Sequence, residues 1–168
     1  MSNKIEDLDS FIQTFRNEIK RKKKLSPINF DKLILLTKSP LIQKFITLDL
    51  TMKEANVLGR AFMKAKNLKI EELIGLFLKP TKQNALILTC LLCKKCKVND
   101  LRILNDFLIP NMRSKSLAYL NLALVFVRNY KQFVSDEFIE EIKQVNHPVC
   151  DEILDLLEIE VEKEMVEA

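Results

Sequence analysis

The scarcity of glycine is the sequence feature that most constrains the fold of this chain. Only two of the 168 residues are glycine, Gly59 and Gly75. Tight hairpin turns, phosphate-binding loops and nucleophile elbows all need glycine where φ is positive or where a ligand approaches the backbone. Two isolated glycines therefore exclude a G-x-G-x-x-G loop and a Walker loop. Leu, Lys and Glu, three of the most abundant residues, favour helix.

Capping residues and prolines predict one helix after another. Ser26-Pro27 and Ser39-Pro40 each have the pattern of an N-cap followed by proline in the first helical turn. Thr51 and Glu54 have the spacing of a capping box. Later helices are predicted at 70–79, 81–97, 100–109 (ending before Pro110), 114–130, 136–145 and 146–164. We therefore expect an all-α chain of about eight or nine helices with no strand.

The second half of the sequence repeats a pair of helices, one short and one longer, at a period of roughly 30 residues. In this pattern, and in Leu101–Pro110 followed by Ser116–Arg128, residues 70–164 resemble HEAT and armadillo repeat proteins. The resemblance implies an α-solenoid of stacked hairpins with a concave binding surface and a scaffolding role, and it does not imply any catalytic residue. A helical bundle is the alternative architecture. We expect one helical domain over 1–168, with a basic-ended first helix (1–25), helical hairpins (26–69) and repeat-like hairpins (70–164).

Charge is distributed unevenly along the chain. Residues 1–135 hold 25 basic and 11 acidic side chains, a net charge of +14. Residues 136–168 hold 2 basic and 12 acidic side chains, a net charge of −10. A basic body and an acidic tail of this size favour binding to charged macromolecules.

The basic run at the end of the first predicted helix is the main candidate binding site. Arg16, Lys20, Arg21, Lys22, Lys23 and Lys24 place six cations within nine residues. They are suited to RNA phosphates, to an acidic protein surface or to a nuclear import receptor. Alternatively, they form a solvated helix end whose cations complement the helix dipole. A second candidate group comprises Lys94, Lys95 and Lys97. Because aromatic and basic residues do not interleave, we expect any RNA contact to involve the backbone.

The last predicted helix carries the opposite charge. Its carboxylates include Asp151, Glu152, Asp155 and Glu158. One interpretation is the solvated outer face of a capping repeat, which solenoids require. The other is a docking surface for a basic partner.

Three cysteines, Cys90, Cys93 and Cys96, have a spacing that zinc or an iron–sulfur cluster sometimes uses. They lie in an apolar, apparently helical run, and on a straight helix Cys90 and Cys96 are about 120° apart. We therefore interpret them as free cysteines and expect no cofactor, with metal binding as the alternative. His147 is the sole histidine. Before a proline at a helix start, it is interpreted as a surface or capping residue.

Taken together, these features predict an intracellular protein, cytoplasmic or nuclear. The longest apolar stretch, Leu117–Val127, is shorter than the roughly 20 residues of a spanning helix, and the N-terminus does not resemble a secretory signal. The favoured function is that of an adaptor or small subunit of a larger protein complex. The alternative is a basic factor that docks on RNA or the ribosome through the N-terminal Lys/Arg run. We expect neither enzymatic activity nor a small-molecule substrate.

Overall fold

The computed structural model describes the backbone of residues 8–167 and the side chains of residues 8–158 apart from Ile46. Within this range the all-α prediction is confirmed, since the chain forms ten α-helices and no strand. The chain divides into two compact units, Met1–Leu68 and Lys69–Ala168. They are called the N-terminal unit and the C-terminal unit below.

Four α-helices and a short 3-10 turn form the described part of the N-terminal unit. They are α1 (Leu8–Lys22), α2 (Pro27–Thr37), the 3-10 turn Pro40–Ile42, α3 (Gln43–Ile46) and α4 (Met52–Lys64). Helix α4 packs on both α1 and α2. In the core, the rings of Phe15 and Phe45 meet edge to face, with centroids 5.4 Å apart. The apolar side of α4 closes this core with Leu58 and Phe62, both fully buried.

The helix starts of this unit confirm the predicted caps. The Ser26 hydroxyl accepts a hydrogen bond from the backbone N–H of Asn29 and so caps α2. The capping box before α4 is complete. The Glu54 N–H donates to the Thr51 hydroxyl at 3.1 Å, and the Thr51 N–H donates to the Glu54 carboxylate at 2.9 Å. These bonds satisfy donors that have no partner within the helix.

The turn from α1 to α2 is held by one carboxylate and one unusual backbone conformation. The Glu18 carboxylate accepts hydrogen bonds from the Ser26 N–H and from the side-chain amide of Asn29, the latter at 2.7 Å. The bond from the Ser26 backbone is the main cause of a lowered pKa for Glu18. Lys23 ends α1 with φ at 66° and donates its N–H to the Ile19 carbonyl at 2.9 Å. This left-handed position after a helix usually holds glycine.

Six helices form the C-terminal unit, in three consecutive pairs. They are α5 (Ile70–Leu76), α6 (Lys82–Leu92), α7 (Ile103–Met112), α8 (Leu117–Tyr130), α9 (Asp136–Gln144) and α10 (Pro148–Glu167), with a 3-10 turn at Lys131–Phe133. The second helices of the pairs pack in a row, α6 on α8 and α8 on α10, while α7 packs on α9. Edge-to-face contact between Phe126 and Phe138, and contact between Phe107 and Tyr119, fill the space between helices.

Helix α6 is shorter than the predicted helix at 81–97. It ends at Leu92 because two side chains of the α8 terminus bind the chain that follows. Asn129 donates its side-chain amide to the Leu92 carbonyl at 2.8 Å. The Tyr130 hydroxyl donates to the Lys94 carbonyl at 2.6 Å and accepts from the Cys96 N–H at 2.9 Å. These bonds replace the hydrogen bonds that a longer helix would have made.

The prediction that a helix ends before Pro110 was wrong. Helix α7 begins at Ile103, later than predicted, and continues through Pro110 to Met112. A proline this close to a helix end removes one hydrogen bond without interrupting a long ladder, and its ring is exposed to solvent.

Two polar connections secure α7 to its surroundings. The buried amide of Asn105 donates to the Arg102 and Phe133 carbonyls, at 3.0 and 2.8 Å, and accepts from the Ser135 N–H at 3.1 Å. After α7, the Arg113 guanidinium binds the buried Glu141 carboxylate of α9 through both oxygens. Hydrogen bonding to Arg113 lowers the pKa of Glu141.

No helix in the described part of the chain is both long enough and apolar enough to span a bilayer.

Candidate functional site

A cleft of about 580 Å³ in the N-terminal unit collects five positively charged side chains. We call it the basic cleft, and its cations are Lys23, Lys24, Lys53, Arg60 and Lys64. The remaining lining is mainly apolar and consists of Leu25, Pro27, Phe30, Asn56, Val57 and Met63. The cleft therefore combines a concentrated positive charge with an apolar wall from α2.

Three of the five cations share one face of α4. Lys53, Arg60 and Lys64 are separated by seven and four residues, a spacing that places them on one side of a helix. The opposite side of α4 is buried in the core, which directs this cationic side outward. The left-handed turn after α1 then places Lys23 and Lys24 beside it.

The electrostatics of the basic cleft are those of like charges without counter-charges. No carboxylate is among the described residues that line it, and none of its five cations forms an ion pair with a described acidic side chain. The neighbouring Lys23 side chain lowers the pKa of Lys53. Two adjacent ammonium groups repel each other, and an anion bound between them would relieve that repulsion.

The basic run of the sequence divides into three parts in the structure. Lys23 and Lys24 line the cleft, whereas Lys20, Arg21 and Lys22 are exposed at the end of α1 and outside the lining. Arg16 contacts other residues of the N-terminal unit. It lies 3.5 Å from the Glu54 carboxylate and donates to the Asp49 carbonyl at 3.0 Å.

Of the five cations of the basic cleft, only Lys23 and Lys24 were predicted as binding residues from the sequence. Lys53 and Arg60 were not singled out, and Lys64 was not connected with either of them. Their common spacing on one capped helix was a visible indication of a cationic face. Which other element faces the cationic side of α4 depends on tertiary packing. The spacing of residues along the chain does not reveal it.

The second predicted basic group lies in the C-terminal unit, in the segment after α6. The side chains of Lys95 and Lys97 are exposed, and that of Lys94 is half-buried. The backbone here is fixed by Tyr130, through the Lys94 carbonyl and the Cys96 N–H.

The three clustered cysteines occupy different environments. Cys90 is buried within α6, Cys93 is the exposed C-cap, and Cys96 is exposed in the following segment. Although Cys93 is exposed as a residue, partial desolvation of its thiol raises its pKa, and the charge of Arg128 opposes that rise. Within the described residues no three His, Cys, Asp or Glu side chains converge to hold a metal ion.

The acidic helix α10 exposes the four carboxylates predicted as a docking surface. Asp151, Asp155 and Glu158 face solvent, while Glu152 lies 3.3 Å from the Arg128 guanidinium. The acidic side chains beyond Glu158 lie outside the described residues. At the start of α10, the His147 ring accepts a hydrogen bond from the Val149 N–H at 3.1 Å, in agreement with the predicted capping role.

Comparison with known proteins gives no relative from which a function can be transferred. No protein-family model, no curated protein and no solved structure matches the chain.

Proposed function

We propose that this protein is a non-enzymatic interaction module that binds the phosphate backbone of RNA through the basic cleft. The observation that carries this proposal is the convergence of five cations on a surface that no described carboxylate lines. Cations held together without counter-charges attract a polyanion strongly, because each phosphate contact releases condensed counterions.

The proposal predicts a characteristic dependence on salt. Five contacts to a single strand give a slope of about −3.5 for log Kobs against log salt. Between roughly 50 and 200 mM salt, affinity should then fall about a hundredfold. A contact dominated by apolar surface would show a much weaker dependence on salt.

The matched test compares two triple charge reversals in the N-terminal unit. One changes the cationic face of α4 (Lys53→Glu, Arg60→Glu and Lys64→Glu), and the other changes three exposed lysines outside the cleft (Lys32→Glu, Lys38→Glu and Lys66→Glu). Both alter net charge equally. Binding of an unstructured oligoribonucleotide, measured by fluorescence anisotropy, should weaken about a hundredfold more in the cleft variant. Equal weakening would show that net charge, and not the cleft, governs binding.

A protein-binding adaptor is the second candidate function, favoured by an apolar pair on α2. Ile28 and Leu35 are 72% and 57% exposed and lie seven residues apart, on one side of the helix. Exposed apolar side chains of this kind favour a protein partner. Sedimentation from a lysate separates the two candidates. A complex that ribonuclease destroys supports RNA, and a ribonuclease-resistant complex that Ile28→Gln abolishes supports the adaptor.

For the C-terminal unit we propose a solenoid of stacked hairpins, as in HEAT and armadillo proteins. The packing of α6, α8 and α10 in one row, with α7 on α9, supports it. In such an arrangement each helix pair covers the apolar face of the next, and α10 closes the row with its exposed carboxylates outward.

A further inference from the structure

The apolar side of the basic cleft indicates which form of RNA the site accepts. Pro27 and Phe30 of α2 and Met63 of α4 line the same cavity as the five cations. Met63 is 43% exposed, and Phe30 is only half-buried, so both retain surface that a ligand can cover. A site that recognised phosphate alone would gain nothing from this apolar surface.

We propose that the basic cleft holds a nucleotide of single-stranded RNA, with its base against Phe30 and Met63 and its flanking phosphates on the cations. This inference rests on the proposed function and restricts it to unpaired RNA. The Asn56 amide, on the same face of α4, lies in the cleft lining as a further polar contact.

The geometry of the two RNA forms explains the preference. A duplex keeps its bases stacked inside and presents a convex backbone, so it offers only phosphates and sugars to a cavity. A single strand can turn a base out of its stack and place it against an aromatic ring. Such contacts tolerate any base, because every base has a π face. We therefore expect little sequence preference.

Phosphate binding and base contact involve different side chains of the cleft. Lys23 and Lys53 both line the cleft, and the neighbouring Lys23 lowers the pKa of Lys53, so a phosphate near these two side chains would be attracted by both. Phe30 and Met63 add contact area without charge. Removal of the ring should therefore affect the single strand alone, whereas removal of the cations should affect every form of RNA.

The test measures anisotropy with three labelled probes at one salt concentration: an unstructured oligoribonucleotide, a duplex RNA of equal phosphate number, and poly-glutamate. The wild type should bind the single strand about tenfold more tightly than the duplex and should bind poly-glutamate most weakly. Phe30→Leu, which keeps apolar bulk and loses the ring, should lower single-strand affinity about tenfold and leave duplex affinity unchanged. Phe11→Leu, a half-buried phenylalanine of α1 outside the cleft lining, is the matched control. Thermal unfolding verifies that both variants fold.

The outcomes separate this inference from the function on which it rests. Equal affinity for single strand and duplex, or a Phe30→Leu variant that binds like the wild type, overturns the single-strand proposal and leaves RNA binding intact. Poly-glutamate binding as tight as RNA binding overturns both, because the partner would then be an acidic protein. Absence of binding to either RNA also overturns both.

Discussion

The positively charged side chains of the two units differ in whether they have carboxylate partners. In the C-terminal unit Arg102, Arg113 and Arg128 each face a carboxylate, at 2.8, 2.5 and 3.3 Å. The Arg102 side chain lowers the pKa of Asp100 to about 2. In the N-terminal unit Arg16 is likewise paired, but the five cations of the basic cleft have no described carboxylate among them. The pairs of Arg113 and Arg128 connect separate elements of the fold, whereas the clustered cations of the cleft repel one another and leave their charge for an external anion.

The largest effect on stability should come from removing the buried hydrogen bonds of Asn105 in the C-terminal unit. Asn105→Ala leaves the Phe133 carbonyl and the Ser135 N–H without their partner, which should lower the free energy of unfolding by about 3 kcal/mol. Asn121→Ala, at an exposed position of α8, should have almost no effect. Chemical denaturation measures both variants, and RNA affinity should be unchanged in each. A loss of RNA binding in Asn105→Ala would contradict the separation of roles between the units.

The next effect concerns the Arg113–Glu141 pair and depends on pH. Because Arg113 holds the pKa of Glu141 below its ordinary value of 4.5, the pair stabilises the fold at neutral pH and loses this contribution as pH falls through the lowered pKa. Glu141→Gln should therefore lower Tm at pH 7, and the difference from wild type should shrink in acid. Thermal unfolding across pH measures this. A difference independent of pH would show that the carboxylate charge is not what stabilises the contact.

A third prediction compares the same substitution, lysine to glycine, in the two units. Lys23 and Lys115 both adopt positive φ, 66° and 57°. Glycine relieves this strain, so Lys23→Gly and Lys115→Gly should each raise the free energy of unfolding by about 1 kcal/mol. Only Lys23→Gly removes a cation of the cleft, and it should reduce the salt slope of RNA binding by about 0.7. An equal change in slope for Lys115→Gly would remove the distinction between the units.

The smallest effect should be a gain in stability from neutralising Lys53. Because Lys53 lines the cleft with four other cations and the neighbouring Lys23 lowers its pKa, Lys53→Gln should raise Tm slightly at low salt, and the gain should disappear at high salt. Lys38→Gln, outside the cleft, is the control. A fall in Tm for Lys53→Gln would mean that the cluster is stabilised by contacts other than those described.

The features predicted correctly from the sequence are those that depend on near neighbours. The caps at Ser26, Ser39 and Thr51 each act within three residues along the chain, so their spacing suffices to predict them. The end of α6 was predicted wrongly because it depends on Asn129 and Tyr130, which are remote in sequence. The packing of α8 brings these side chains to the end of α6.

The candidate site was predicted only in part, for the same reason. Lys23 and Lys24 were identified from local charge density, whereas the spacing of Lys53, Arg60 and Lys64 was overlooked. Even with that spacing, the sequence does not tell which segment faces the cationic side of α4. Arg16 illustrates the converse. Local charge density assigned it to the binding surface, and the fold places it beside Glu54.

The tyrosine that fixes the chain after α6 also determines what optical methods can detect. The sequence contains no tryptophan and two tyrosines, Tyr119 and Tyr130, both in the C-terminal unit. Tyrosine absorbance and tyrosine fluorescence therefore monitor the C-terminal unit, and the basic cleft gives no tyrosine signal. A Met63→Trp variant would introduce a chromophore at the cleft. Its emission would follow ligand arrival in the N-terminal unit while the tyrosines report on the C-terminal unit.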